Sequence, residues 1–88
     1  MEENMQALMD RLNSSSQFLQ SNDMRVTEVR HGFAKVEMII DEQILNIHGF
    51  VHGGALFSLA DTVAGAASFA TGRDSVTLTG TINYICLL

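Results

Sequence analysis

Asp61 is the only charged side chain between Asp41-Glu42 and Arg73, and it stands within a run of apolar and small residues, 51–70. Eight residues before it comes His52-Gly53-Gly54. Aspartate is a poor mid-helix residue, and a carboxylate that faces a tight packing surface has its reactivity set by what it meets there. Such an acid is a candidate general base or nucleophile; the plain alternative is a surface acid bonded to nearby backbone. Glycines at a helix entrance let a ligand reach the first N–H groups, which have no intrahelical partner, and the positive end of the helix dipole favours an oxygen gaining negative charge. Acyl transfer asks this of an oxyanion hole. A tight turn also needs glycine, so the pair alone leaves both readings open.

The spacing predicts a helix from about Gly54 to Ala70. At 100° per residue, Leu56, Leu59, Ala60, Val63, Ala67 and Ala70 form its core stripe, and Gly54, Ser58, Asp61, Gly65 and Ser68 the opposite one. A merely solvated face would carry Lys, Glu, Gln and Arg; this one is small, which suits close approach by another element. Along the axis, Gly53 and Asp61 are separated by about 12 Å. One chain cannot bring both to the same carbonyl. A second copy of the helix lying antiparallel would set Asp61 of one subunit against Gly53 of the other, giving two equivalent sites by two-fold symmetry.

Other elements must hold this helix. Met1, Met5, Leu8, Met9 and Leu12 recur at helical spacing up to Asn13-Ser14-Ser15-Ser16, which predicts an amphipathic packing or lid helix. Met24–Arg30 and Phe33–Asp41 read as a hairpin turning at His31-Gly32. Ala34, Val36, Met38 and Ile40 alternate cleanly in it, and Val26 and Val29 imperfectly. Ser75–Ile85 again alternates, with Val76, Leu78, Gly80, Ile82 and Tyr84 on one face and Thr77, Thr79, Thr81 and Asn83 on the other, so a strand is expected.

Composition narrows the classes. Apolar residues make up 47% and charged residues 17% of the 88, the balance of a globular chain, and residues 1–88 are expected to form one domain. A core this small buries only about 60 to 65% of the unfolded surface, so partner chains are expected. The net charge is -5, and the five basic residues at 11, 25, 30, 35 and 73 form no stripe able to neutralise a phosphate backbone, which argues against nucleic acid. The lone Cys86 reads as a small buried hydrophobe in a reducing compartment. The start MEENMQ has no signal-peptide core, and 51–70 is too polar to span a bilayer, so a cytoplasmic protein without membrane contact is expected.

Asn46, the block from His52-Gly53-Gly54 through Asp61-Thr62, Val76-Thr77 and Ile82-Asn83-Tyr84 together resemble the hotdog-fold acyl-CoA thioesterases of the phenylacetic acid degradation (PaaI) type, over roughly residues 20–86. The resemblance implies an α+β hotdog fold: a long central helix packed on a curved antiparallel sheet, dimeric or tetrameric, with sites at the subunit interface. It implies Asp61 as general base or nucleophile, Gly53 N–H as polariser of the thioester carbonyl, Asn46 as a group placing thioester or water, and Thr77 as the hydroxyl that holds the attacking water. Without it, Asn46 is a loop residue and Thr77 one of several strand threonines. His52, Gly54 and Ser58 would line the substrate, His52 staying open between orienting the glycine loop and packing. No metal or separate cofactor is expected, coenzyme A being part of the substrate.

Family members continue well past residue 88 and usually carry a proline shortly after the Ile82-Asn83-Tyr84 motif, where this chain has Cys86-Leu87-Leu88. The resemblance therefore implies a C-terminally truncated copy whose sheet lacks strands and whose exposed edges seek partners. Its function is expected to be acyl-CoA hydrolysis. The alternative is a non-catalytic remnant acting as an assembly or acyl-CoA-binding module. A hotdog dehydratase is disfavoured, because the catalytic-histidine loop motif of those enzymes is not found.

Overall fold

The computed structural model describes residues 5–86 and 88. Helix α1 spans Met5–Ser15 and helix α2 Gln17–Ser21; strands β1, Met24–Arg30, and β2, Phe33–Met38, form an antiparallel hairpin; a short 3-10 turn covers Glu42–Ile44, and helix α3 runs Gly53–Phe69. The long helix packs on the hairpin, and the core gathers Leu19, Met24, Val26, Val29, Ala66 and Ala70, with Met5, Met9 and Leu12 against it. The predicted methionine-rich helix thus packs on the core through its apolar face; Met1 lies outside the described residues.

The first helix breaks where serine competes with it. Ser16 caps α2 by accepting Leu19 N–H on Oγ at 3.4 Å, and Gln20 Nε2 donates to the carbonyls of Asn13 and Ser14, both at 3.0 Å. Asn13 acts across the fold: Nδ2 donates to Val26 C=O at 2.9 Å, and Oδ1 accepts Val26 N–H at 2.7 Å. A helical side chain thereby supplies the bond pair that a neighbouring strand would give β1. Neither α2 nor this clasp is legible as apolar periodicity.

The imperfect phase of Val26 and Val29 has a structural cause. Val26 pairs with Val36 and Glu28 with Lys35, so Thr27 is an extra residue, and this β-bulge returns Val29 to the core side. Both valines are buried, Val26 to 1% exposure. On β2 the alternation holds through Met38, but the strand ends there rather than at Asp41. Ile39 N–H makes the last bond, to Asp23 C=O at 3.0 Å, and Ile40 is left exposed because β1 begins only at Met24.

Two corrections concern α3 and the segment C-terminal to it. The stripe facing the sheet is centred on Leu59, Ala66 and Ala70; Ala60 is exposed, and Leu56 and Val63 line an apolar groove of about 490 Å³ with Ile82 and Tyr84. Ser75–Ile85 forms no strand, and the sheet among the described residues has two strands. The segment runs antiparallel along α3. Ser75 meets Ser68, Thr77 meets Asp61, Gly80 lies against Phe57, and Tyr84 reaches Gly53. It covers about 22 Å of helix at roughly 2.5 Å per residue, between helical and strand rises. Without ladder bonds the pleat is not kept: Val76 and Leu78 are 93% and 94% exposed, whereas Ile82 and Tyr84 turn toward the helix. Cys86 is exposed rather than buried. Among the described residues no helix is long and apolar enough to cross a membrane.

Asn13→Ala is expected to lower stability by about 1–3 kcal/mol, because it orphans a part-buried N–H and C=O together. Urea unfolding followed by circular dichroism checks this; Ser14→Ala, at an exposed neighbour, should change little.

Candidate active site

The entrance of α3 is built from residue 44 onward. Leu45 and Val51 form an isolated antiparallel bridge, and His52 N–H donates to Ile44 C=O at 2.7 Å. Between them Asn46 folds the loop, its Oδ1 accepting N–H bonds from His48 at 2.9 Å and Phe50 at 3.1 Å. Asn46 N–H donates to Phe50 C=O at 2.7 Å, and Gly49 takes a positive φ of 83° in the resulting turn. The Asn46 oxygen is therefore spent on the loop, and only its Nδ2 is left to face a ligand.

His52 is the N-cap of α3, with extended backbone at φ -62° and ψ 135°. Its Nδ1 accepts Gly54 N–H at 2.8 Å, and its C=O accepts Ala55 N–H at 3.0 Å and Leu56 N–H at 3.2 Å. An acceptor Nδ1 carries no proton, so in this geometry the ring proton of the neutral imidazole is on Nε2. Of the first-turn donors, that leaves Gly53 N–H with no partner among the described residues. The glycine pair is thus divided in role. Gly54 is held by the histidine, and Gly53 presents the free donor at the positive end of a 17-residue helix.

Asp61 lies at mid-helix and is exposed. Thr77 Oγ1 donates to its Oδ1 at 2.5 Å, a bond across 16 residues of sequence that brings two of the expected site residues together. A hydroxyl on a carboxylate gives a short charge-assisted bond, and the second carboxylate oxygen is bonded to nothing among the described residues. Both residues line a groove of about 450 Å³ whose far wall includes Leu12 and Phe18 from the N-terminal helices, with the hydrogen-bonded Ser68–Ser75 pair at one side. Ser58, one turn before Asp61, is half-buried and does not join this contact. Among the described residues no cluster of three or more His, Cys, Asp or Glu side chains is arranged to hold a metal ion.

Apart from Ser58, the expected site residues fall into two groups, one at the entrance of α3 and one at its middle. Asn46, His52, Gly53 and Gly54 gather at the entrance of α3, and Asp61 with Thr77 lies about 12 Å further along its axis. The face that carries Gly54, Asp61 and Gly65 is exposed, and Ala60 and Ala64 widen it. Phe18, Ser75 and Tyr84 join these groups without having been expected at the site. Phe18 and Ser75 carry no motif, and the alternation around Tyr84 points to a core strand.

Residues 48–85 match the thioesterase superfamily. The chain is 38% identical over 63 residues to a putative esterase from Archaeoglobus fulgidus, covering 72% of this chain and 41% of that protein. It is 40% identical over 60 residues to the acyl-coenzyme A thioesterase PaaI from Escherichia coli, covering 68% of this chain and 43% of that one. Among solved structures, the E. coli PaaI protein from the phenylacetic acid degradation operon superposes with a TM-score of 0.78 at 30% identity, over 91% of this chain and 63% of its own. A conserved Pseudomonas aeruginosa protein superposes with a TM-score of 0.76 at 36% identity, over 83% and 61%. The chain thus spans about two-fifths of the length of these curated relatives.

His52→Ala should cost about 1 kcal/mol through loss of the helix cap, and His52→Asn, a strong capping residue, should restore most of it. Thermal unfolding of the three proteins measures both.

Proposed function

We propose that this chain, a homologue of the PaaI acyl-CoA thioesterase with a thioesterase superfamily domain and a partial hotdog fold, hydrolyses acyl-coenzyme A to a carboxylic acid and coenzyme A. In this reading residues 1–88 belong to one hotdog domain that works in the cytoplasm as a homodimer or homotetramer. The observation that carries the reading is the division of α3 into a free N–H at Gly53 and a threonine-bonded carboxylate at Asp61. These are the two groups thioester cleavage asks for, a donor for the developing oxyanion and a source of electrons for water or carbon.

The thioester carbonyl oxygen sits at Gly53 N–H of one subunit, and its carbon faces Asp61 of the other. The carboxylate takes a proton from water as that water attacks, or attacks the carbon itself to form an anhydride that water then opens. By either route the C–S bond breaks, the thiolate leaves as coenzyme A and takes up a proton, and the acid is released. Thr77 orients Asp61 through its 2.5 Å bond and thereby the water beside it. Asn46 Nδ2 steadies the thioester at the entrance, His52 and Gly54 shape that entrance, and Ser58 lines the substrate. No cofactor beyond the coenzyme A of the substrate is called for.

Two features support a site shared between subunits. The 12 Å separation, fixed by helix rise at about that value, cannot be closed within one chain, and Gly54, Ala60, Ala64 and Gly65 leave small, exposed surface on α3 beside the C-terminal segment, which suits approach by a second helix. The exposure of Val76 and Leu78 favours a second reading, an acyl-CoA-binding module with an incomplete groove. Its mark would be binding of acyl-CoA without thiol release.

Asp61→Asn is expected to lower kcat by about 10²–10⁴-fold without changing the oligomer; thiol-release kinetics and light scattering check the two halves. Gly53→Pro removes the free N–H at the first helical position, where proline is tolerated and the extended His52 backbone already suits it, and its Cβ, 3.3 Å from Tyr84 Cζ, requires only a small shift of that half-exposed ring. It too should be inactive. Dissociating and reassociating the two inactive proteins together should restore about a quarter of parental turnover, because half the dimers would be mixed and each would hold one intact site. No recovery in reassociated mixed dimers would rule out the shared site.

A further inference from the structure

Gly53 has no side chain to restrain it, and a glycine backbone is the most permissive of all. An oxyanion donor, by contrast, acts only when it is aimed where charge develops. Both peptide planes that flank Gly53 are nevertheless bonded. The His52–Gly53 plane is held through His52 C=O by Ala55 N–H at 3.0 Å and Leu56 N–H at 3.2 Å. In the Gly53–Gly54 plane, Gly54 N–H donates to His52 Nδ1 at 2.8 Å, while Gly53 C=O accepts the Tyr84 hydroxyl at 2.8 Å.

The first three bonds are local; the fourth arrives from 31 residues along the chain. The Tyr84 ring adds contact as well as a bond. A Cβ on Gly53 would lie 3.3 Å from its Cζ and 3.4 Å from its hydroxyl oxygen. Tyr84 is also 52% exposed, so burial of the ring does not by itself account for its position.

We propose that Tyr84 is a positioning residue for the Gly53 N–H. Its phenol holds the Gly53–Gly54 plane through the Gly53 carbonyl and its ring packs beside the Gly53 Cα, so the first turn of α3 cannot fray and the adjoining His52–Gly53 plane, which carries the free N–H, keeps its aim at the thioester oxygen. The role rests on the thioesterase reading above. It also ties the C-terminal segment, which has no strand partner among the described residues, to the donor end of the site.

Tyr84→Phe keeps the ring and deletes the hydroxyl; Tyr84→Ala deletes both. The test measures thiol release from a panel of acyl-CoA esters, thermal unfolding, and amide NMR of the parent and both variants, with Asp61→Asn as reference. Tyr84→Phe is expected to lower kcat by about three- to tenfold, the scale of one neutral hydrogen bond, with KM unchanged. Tyr84→Ala should lower it further, and the Gly53 and Gly54 amide resonances should shift in both while those beyond the second turn of α3 stay in place. A merely structural tyrosine would lower the melting temperature and leave kcat per folded protein at the parental value, which would overturn the proposal. So would a rise in KM alone. If the parent releases thiol from no ester, or Asp61→Asn matches it, the thioesterase reading fails. The bracing is then judged by NMR, where unchanged Gly53 and Gly54 amides in Tyr84→Phe overturn it and shifts confined to residues 52–54 uphold it.

Discussion

A rigid helix holds the free N–H of Gly53 and the carboxylate of Asp61, the two groups of the proposed site, about 12 Å apart, and the other elements are arranged around that separation. Gly53 opens α3 and Asp61 lies at its middle, so the helix orients both and cannot bring them together. Rigidity makes each half reproducible, because an N–H at a capped helix start and a carboxylate bonded to a hydroxyl are already ordered, as the proposed chemistry would require. The same rigidity makes a second helix the natural complement, since antiparallel copies would exchange one half each.

The helix is held differently on its different sides. Leu59, Ala66 and Ala70 pack toward the hairpin, which reaches core depth through a bulge at Thr27 and is clasped by Asn13 from α1. The face bearing Gly54, Asp61 and Gly65 is left exposed. Burial of one side and smallness of the other are therefore complementary features of the same helix.

The C-terminal segment contributes through side chains. Its backbone enters no sheet among the described residues, yet Thr77 bonds Asp61, Ser75 bonds Ser68 and Tyr84 bonds Gly53, one contact for each successive stretch of α3. The polar stitches are specific and the apolar side chains are not satisfied in the same way: Val76, Leu78 and Ile85 remain almost wholly in water. The segment thus touches both halves of the proposed site, at Asp61 and at Gly53, without contributing much core.

What the sequence by itself determined is what depends on spacing along a single element. The extent of α3, the hairpin with its turn at His31-Gly32, the apolar face of α1 and the distance between Gly53 and Asp61 are all consequences of helical or strand period, which covalent geometry imposes. The motif around the His-Gly-Gly entrance also carried the resemblance to thioesterases. Only the tertiary structure decided who meets whom. That Asn13 bonds Val26, that His52 Nδ1 accepts the Gly54 N–H and leaves that of Gly53 free, that Thr77 reaches Asp61 and that Tyr84 reaches Gly53 depend on how loops route distant segments together. The same cause explains the lost strand at Ser75–Ile85 and the rotation of the buried stripe toward Ala66. Periodicity states which residues share a face, but a face becomes a sheet or a core only when a partner lies within bonding distance.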